Sequence, residues 1–390
     1  MTIGIDKIGF ATSQYVLKLQ DLAEARGVDP EKFSKGLLLN EISIAPLTED
    51  IVTLAASASN SILTDKEKEE IDMVIVATES GIDQSKAAAV FVHGLLGIQP
   101  FARSFEIKEA CYGATAALHY AKLHVENSPE SKVLVIASDI AKYGVGTPGE
   151  PTQGAGSVAM LITQNPRIMA FNNDNVAQTR DIMDFWRPNY SITPYVNGMY
   201  STQEYLDCLT TTWDEYKKRY DWTMDDFAAI CFHLPYPKLA LKALRKMMDK
   251  TLSKEKQDSL QENFDKSILY SQMIGNIYTG SLFLGLLSLL ENAETLKAGD
   301  KIALYSYGSG AVSEFFSGEL VEGYEAYLDK VRLSKLKQRT ALSVADYEKV
   351  FFEEVELDES GSAQFAAYEH QDYALVEIVD HQRRYSKVEK

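Results

Sequence analysis

Short runs of apolar, often β-branched residues alternate along this chain with longer stretches whose apolar positions recur every three or four residues. IGIDKIGFAT (3–12), which is broken by Asp6 and Lys7, and MVIVAT (73–78), KVLVIAS (132–138) and SVAMLIT (157–163) are short, mostly apolar, β-branched runs bounded by polar or turn residues. That pattern predicts strands buried on both faces. Between them, TEDIVTLAASASNSIL (48–63), SKAAAVFVHGLLG (85–97) and GATAALHYAKLHV (113–125) carry the helical period. In the last, Ala114, Leu118, Ala121 and Val125 share one face. Strands alternating with helices predict an α/β sheet architecture.

The second part of the chain repeats this grammar. FAAICFH (227–233) parallels DMVIVATE (72–79), each an apolar run ending on an ionisable side chain. NIYTGSLFLGLLSLL (276–290) parallels CYGATAALHYAKLHV (111–125), and KIALYSYG from Lys301 parallels KVLVIASD from Lys132. GSGAVSEF (308–315) and GAGSVAML (154–161) share Gly-x-Gly-x-Val. From Lys132 to Gly154 is 22 residues but from Lys301 to Gly308 only 7, so the first half carries an extra loop containing Tyr143 to Thr152. Four ordered matches predict an internal duplication, with halves at 1–165 and 166–390. Beyond Gly318, LSVADYEKVFFEE (342–354) reads as a helix and YALVEIV (373–379) as a terminal strand completing a sheet.

Charge and composition narrow the function. The 390 residues carry 39 Lys+Arg against 56 Asp+Glu, a net charge of −17 that disfavours nucleic acid or an anionic membrane as partner. The longest apolar stretch, Leu282–Leu290, is too short to span a bilayer, and MTIGIDKIGF lacks the regions of a signal peptide, so a cytoplasmic protein is expected. Three cysteines, Cys111, Cys208 and Cys231, make neither a disulfide framework nor a zinc-ligand spacing. No metal is expected.

Three ionisable groups stand where strands or turns meet helices. Cys111 precedes a helix of small residues, where the macrodipole and free backbone N–H groups lower a thiol pKa. Gly113 and Ala114 leave room there for an acyl group. Glu79 follows the strand 73–78, at the carboxyl end where ligands of α/β sheets gather. His233 ends the strand 227–233 and is stiffened by Pro235 and Pro237. Taken singly, each has a plain alternative: a buried small hydrophobe, a solvated turn residue, a structural histidine. The duplication changes this, because Glu79 and His233 occupy matching strand ends while Cys111 and Asn276 occupy matching helix starts. Two pseudo-symmetric halves bring all four to one centre.

These residues sit in segments that together resemble 3-hydroxy-3-methylglutaryl-CoA synthases of the Gram-positive bacterial type, within the thiolase superfamily. The resemblance runs over nearly the whole chain. It is carried by ATESGID (77–83), EACYGATAAL (109–118), ASDIAKYG (137–144), PTQGAGSVAML (151–161), DFWRP (184–188), FHLPYPK (232–238), GNIYTGSL (275–282) and SYGSGAVSEFFS (306–317). It implies a thiolase-like fold with a layered αβαβα core. It also implies condensation of acetyl-CoA with acetoacetyl-CoA and water in the mevalonate route, no cofactor beyond these substrates, and a homodimer.

By that resemblance Cys111 becomes acetylated, Glu79 removes a proton from the acetyl methyl group, and His233 contacts the acetoacetyl carbonyl. Tyr112, Asp139, Tyr143, Asp184, Asn276, Tyr278 and Ser309 match groups lining the acyl pocket. Thr152, Ser201 and Lys238 match contacts to substrate or the pantetheine arm, and Asp29 lies in a segment near the CoA nucleotide. Gln153 stands where a glycine is frequent, Pro237 where a small hydroxyl residue is common, and VNGMYS (196–201) varies a motif that often carries an acid and a lysine.

Three rivals remain. An initiating ketoacyl synthase forms its carbanion by decarboxylation and needs no carboxylate base, so Glu79 discriminates. A synthase of polyketide β-branching acts on carrier-bound acetoacetyl groups. A non-catalytic acyl-CoA-binding protein has no use for Glu79, Cys111 and His233 together.

Overall fold

The computed structural model describes residues 2–191, 193–248, 251–367 and 371–388. The first part of the chain contributes strands β1 (Ile3–Ala11), β2 (Ile71–Ala77), β3 (Arg103–Ile107), β4 (Lys132–Ala141) and β5 (Gly154–Gln164). They lie in the order β3-β2-β4-β5-β1. β2 pairs in parallel with both β3 and β4, whereas β4–β5 and β5–β1 are antiparallel.

The second part supplies β6 (Met169–Phe171), β7 (Val176–Thr179), β8 (Ala229–Phe232), β9 (Lys301–Gly308) and β10 (Val312–Leu320). β8–β9 is parallel, β9–β10 antiparallel, and β10 pairs with β6 and β7 where β5 pairs with β1. The two sheets thus share one strand order, with β2 matched by β8, β4 by β9 and β5 by β10. No strand among the described residues matches β3, which leaves β8 an edge. A two-residue antiparallel pairing of β1 with β6 joins the sheets.

Helices fill three layers. α1 (Ile51–Asn60) and α2 (Ala88–Leu96) cover the outer face of the first sheet. Between the sheets lie α3 (Gly113–Asn127) and the helix Ser281–Asn292. Outside the second sheet pack α4 (Gly198–Tyr220), α5 (Pro237–Met247) and α6 (Lys254–Ser267), with the central helix Ser281–Asn292 labelled α7. The αβαβα order follows from hydrophobicity. α7 is buried on every face because it sits between two sheets, whereas α6 is largely polar and buries only Leu260, Asn263, Phe264 and Ser267. α1 starts with a capping box, Asp50 accepting from the N–H groups of Val52 and Thr53.

Two expectations need correction. α7 begins at Ser281, not Asn276; the residues before it form a turn in which the Asn276 side chain accepts from Tyr278 N (2.8 Å) and Ser281 Oγ (2.7 Å). The strand β11 (Tyr373–Val379) does join a sheet but is not terminal, because a further strand, 382–387, follows it. It forms a separate three-stranded sheet with residues 363–364 and 382–387, docked on the start of α1 through Leu375 N to Thr48 O and the Tyr385 hydroxyl to Asp50. The free edges of the main sheet are β3 and β8, and β11 lies at neither. α8 (Val344–Phe352) forms within the stretch read as helical.

Candidate active site

The parallel register pairs Ala77 of β2 with Ala137 of β4, which sets the turn after β2 level with Asp139. Asp139 is fully buried and serves as the hub of that turn. Its Oδ1 accepts from Glu79 N (2.9 Å), Ser80 N (3.0 Å), Thr78 Oγ1 (2.8 Å) and Ser80 Oγ (2.8 Å). Its Oδ2 accepts from the backbone N–H (3.1 Å) and hydroxyl of Thr279, in the turn before α7. One carboxylate therefore ties the first half's strand end to the second half's helix entry.

Cys111 lies in the turn between β3 and α3. Ala110, just before it, has φ of +40°, a left-handed conformation unusual for a residue with a side chain. Gly308, the last residue of β9, sits against this turn. Cys111 Sγ donates to Glu79 Oε1 at 3.1 Å. Two residues 32 apart in sequence thus meet as a thiol–carboxylate pair.

The electrostatics of this pair differ from expectation on one side. Burial and then the Asp139 charge push the Glu79 carboxyl well above the ordinary carboxylate range; the Cys111 hydrogen bond and the Arg187 charge pull it down. The Cys111 thiol is raised too, by burial and then by Glu79, rather than lowered as its place at a helix start predicts. The reason is geometric. α3 begins two residues on, while a carboxylate touches the sulfur and Asp139 and Asp184 add their charge. The resting thiol is neutral.

His233 continues β8 by donating its N–H to Tyr305 O (2.8 Å), and its carbonyl accepts from the Tyr205 hydroxyl (2.9 Å). Its imidazole is 2% exposed, and burial pushes its pKa down to about 3. Nδ1 is a buried atom without a hydrogen-bond partner among the described residues. His233 makes no hydrogen bond to Glu79 or Cys111. It connects towards them through Tyr205, whose ring lies 5.2 Å from that of Tyr307, and the Tyr307 hydroxyl donates to Asp184 (2.8 Å).

The other expected residues divide into groups. Asn276 Nδ2 donates to the Tyr143 hydroxyl (2.8 Å), and Tyr143 stands edge-on to Tyr278 and Phe185. Burial, then Cys111 and Glu79, raise the Tyr143 hydroxyl above the ordinary tyrosine range. Tyr278 is buried, with φ of +43° and a hydroxyl lacking a hydrogen-bond partner among the described residues. Asp184 is buried and also accepts from Gly310 N (2.9 Å), next to Ser309, and from Ser201 Oγ (3.3 Å).

Thr152 donates its hydroxyl to Gly149 O, and its carbonyl accepts from Asn276 N. Lys238, second residue of α5, donates its N–H to Leu37 O, and Asp29 is exposed with its side chain accepting from Glu31 N. Tyr112 is not brought into this cluster by its hydroxyl, which donates to Glu314 of β10 at 2.5 Å. Cys208 and Cys231 are buried in packing.

One site residue escaped the sequence reading. Arg187 donates to the Glu79 carbonyl and bears on its carboxyl by charge. It lines a cavity of about 570 Å³ that opens on Glu79, together with Ser80, Asp83, Lys142 and Asn189. The DFWRP segment marked this region, but nothing in the sequence singled out its cation. Among the described residues no cluster of His, Cys, Asp or Glu is arranged for a metal, and no helix is long and apolar enough to cross a membrane.

Known proteins share the sequence and fold of this chain. Residues 2–167 match the family model for the hydroxymethylglutaryl-coenzyme A synthase N terminal, and residues 175–262 and 245–387 that for the C terminal. A hydroxymethylglutaryl-CoA synthase of Enterococcus faecalis is 55% identical over 360 residues, 92% of this chain and 94% of the relative. The polyketide biosynthesis 3-hydroxy-3-methylglutaryl-ACP synthase PksG of Bacillus subtilis is 32% identical over 90% of this chain and 88% of its own. A crystal structure of HMG-CoA synthase complexed with CoA superposes with a TM-score of 0.98 at 68% identity, covering 100% of both chains. This chain, thiolase-like in fold and with a thiol and a carboxylate paired at the junction of its two halves, belongs to the hydroxymethylglutaryl-coenzyme A synthase family.

Proposed function

We propose that the protein is an acyl-transferring condensing enzyme that joins acetyl-CoA to acetoacetyl-CoA, with water, giving 3-hydroxy-3-methylglutaryl-CoA and CoA for the mevalonate route. The observation that carries this reading is the 3.1 Å contact of Cys111 Sγ with Glu79 Oε1. As the sulfur attacks the acetyl carbonyl, its proton passes to Glu79, whose raised pKa suits it to hold one. The proton leaves with CoA as its thiol. Glu79, again ionised, removes a proton from the methyl group of acetyl-Cys111, and the resulting carbanion adds to the C3 carbonyl of acetoacetyl-CoA. His233, neutral at physiological pH, donates a hydrogen bond to that oxygen as charge develops. The alkoxide is protonated and water cleaves the thioester, freeing Cys111.

Asp139 fixes the Glu79 turn, while Tyr143, Tyr278 and Asn276 wall the acyl group. Asp184 and Ser309 line the same acyl pocket, Thr152, Ser201 and Lys238 serve the substrate or the pantetheine arm, and Asp29 lies towards the nucleotide. Residues 1–165 carry the base and nucleophile and 166–390 the imidazole. The proposal carries with it a cytoplasmic location and a homodimer. The unpaired edge of β3, with Phe101 89% exposed and Tyr120 and Leu123 about half exposed on the adjoining surface, supports a partner there.

A second reading, transfer to acetoacetyl groups on a carrier protein, has the B. subtilis relative behind it, but identity to the CoA-named relative is higher, 55% against 32%. The test follows loss of acetoacetyl-CoA enolate absorbance on adding acetyl-CoA. Consumption with acetyl-CoA and none with a malonyl-carrier is expected; turnover of the malonyl-carrier alone would contradict the proposal.

A further inference from the structure

Gln153 is 3% exposed, between the added loop of the first half and the start of β5. Its side-chain oxygen accepts from two consecutive backbone N–H groups, Tyr143 at 2.8 Å and Gly144 at 3.1 Å. Its amide N–H donates to the Tyr347 hydroxyl of α8 at 2.9 Å. Two backbone donors on one side and a hydroxyl on the other fix which end of the amide is oxygen. The chain of bonds runs on. The Tyr347 hydroxyl donates to Glu150 Oε1 (3.2 Å), and Glu150 accepts from Gly146 N (2.9 Å) and, bidentately, from Arg26 (2.7 and 3.0 Å). Glu150 and Tyr347 are buried.

The other side of Gln153 faces the acyl pocket. Asn276 N donates to the carbonyl of Thr152, the residue just before it, and a Cβ on Gly275 would lie 1.9 Å from the Gln153 carbonyl. Residues 152 and 153 thus hold the backbone of both partners of one active-site hydrogen bond, that of Asn276 Nδ2 to the Tyr143 hydroxyl. Gly144, in a φ of +112°, turns the loop directly after Tyr143, so this stretch has no regular secondary structure to hold it. The Gln153 oxygen does so instead.

We propose that Gln153, held by Tyr347, is a positioning residue that sets the Tyr143 hydroxyl against Asn276 in the acyl pocket. The assignment rests on the acyl-pocket role given to Tyr143 above. A glycine or alanine at 153 leaves the N–H groups of Tyr143 and Gly144 without this acceptor and the Tyr347 hydroxyl without this donor. The loop then shifts, and the hydroxyl with it, without any group that touches substrate being removed.

The experiment is a double-mutant cycle on kcat of the condensation, with melting temperature and KM followed in parallel, using Gln153→Ala, Tyr143→Phe and the double variant. Gln153→Ala is expected to lower kcat about tenfold, the scale of a displaced positioning group, with KM for acetoacetyl-CoA changed less. In the Tyr143→Phe background the same change is expected to cost less than about twofold, because the hydroxyl it positions is gone. Tyr347→Phe, which keeps the core filled and the Gln153 oxygen in place, gives a smaller loss with the same dependence on Tyr143. If Tyr143→Phe is slow and the Gln153→Ala loss multiplies in full, Gln153 does not act through Tyr143 and the proposal fails. If Tyr143→Phe alone leaves kcat unchanged, the acyl-pocket reading of Tyr143 falls, and the positioning role with it.

Discussion

Gly308→Ala tests whether the second half of the chain sets the nucleophile of the first. A Cβ at 308 would lie 2.7 Å from Tyr112 Cβ, 2.7 Å from Tyr112 N and 2.8 Å from Glu109 O, and two of these three are backbone atoms. Restoring ordinary van der Waals separation requires the Glu109–Tyr112 turn to retreat by about 0.7 Å, overpacking that costs ~1–3 kcal/mol. Cys111 lies inside that turn, so a similar movement of its sulfur would stretch the 3.1 Å contact with Glu79 towards a distance at which the thiol no longer donates. Misplacement on this scale predicts a ~10–100-fold slower acetylation of Cys111. Rapid-quench mass spectrometry of the protein mixed with acetyl-CoA reads that rate, and thermal melting reads the stability. Acetylation at the wild-type rate, whatever the melting point, would refute the dependence of nucleophile geometry on the end of β9.

Other expectations concern charge. The acid limb of the condensation reports Glu79 and is expected above the ordinary carboxylate range, because burial and Asp139 raise that group. Asp139→Asn removes a negative neighbour and should move this limb to lower pH, whereas Arg187→Met removes a positive one and should move it higher; shifts of the same sign would contradict the assignment. The stability effect has its own sign. A carboxyl raised on folding contributes most below its unfolded pKa and loses that contribution as pH rises through the folded value. Glu79→Gln should therefore gain melting temperature relative to wild type more at about pH 9 than at about pH 5. An equal difference at both pH values would count against a raised Glu79. His233→Ala should impair condensation more than acetylation, and the reverse ranking would remove its contact with the acetoacetyl carbonyl.

Much of the fold is legible because its strands are buried on both faces. MVIVAT and KVLVIAS are continuous apolar runs, and both form strands deep in the sheet. The duplicated order β2/β8, β4/β9, β5/β10 is visible for the same reason. The strands β6 and β7 are not, since three and four residues carry no period. Asn276 looked like a helix start because the apolar run begins there, yet the helix waits for Ser281 while a turn forms around the Asn276 side chain. In the site, the residue types of Glu79, Cys111 and His233 marked them out. Their electrostatics did not follow, since the Cys111 pKa is set by burial and then by Glu79, 32 residues away in sequence. Arg187 and the Gln153 chain were hidden for a related reason. Their roles consist of bonds to backbone atoms of distant loops, and those leave no local pattern.

The account turns on Glu79 and Cys111 forming one working unit in which the carboxylate generates the carbanion. Mass spectrometry of the Glu79→Gln protein with acetyl-CoA, followed by addition of acetoacetyl-CoA, addresses this directly. An acetyl group that builds up on Cys111, more slowly than in the wild type because the acceptor of the thiol proton is gone, and then persists with no 3-hydroxy-3-methylglutaryl-CoA formed, is the predicted result. Condensation at the wild-type rate, or an acetyl group found on any residue other than Cys111, would contradict it.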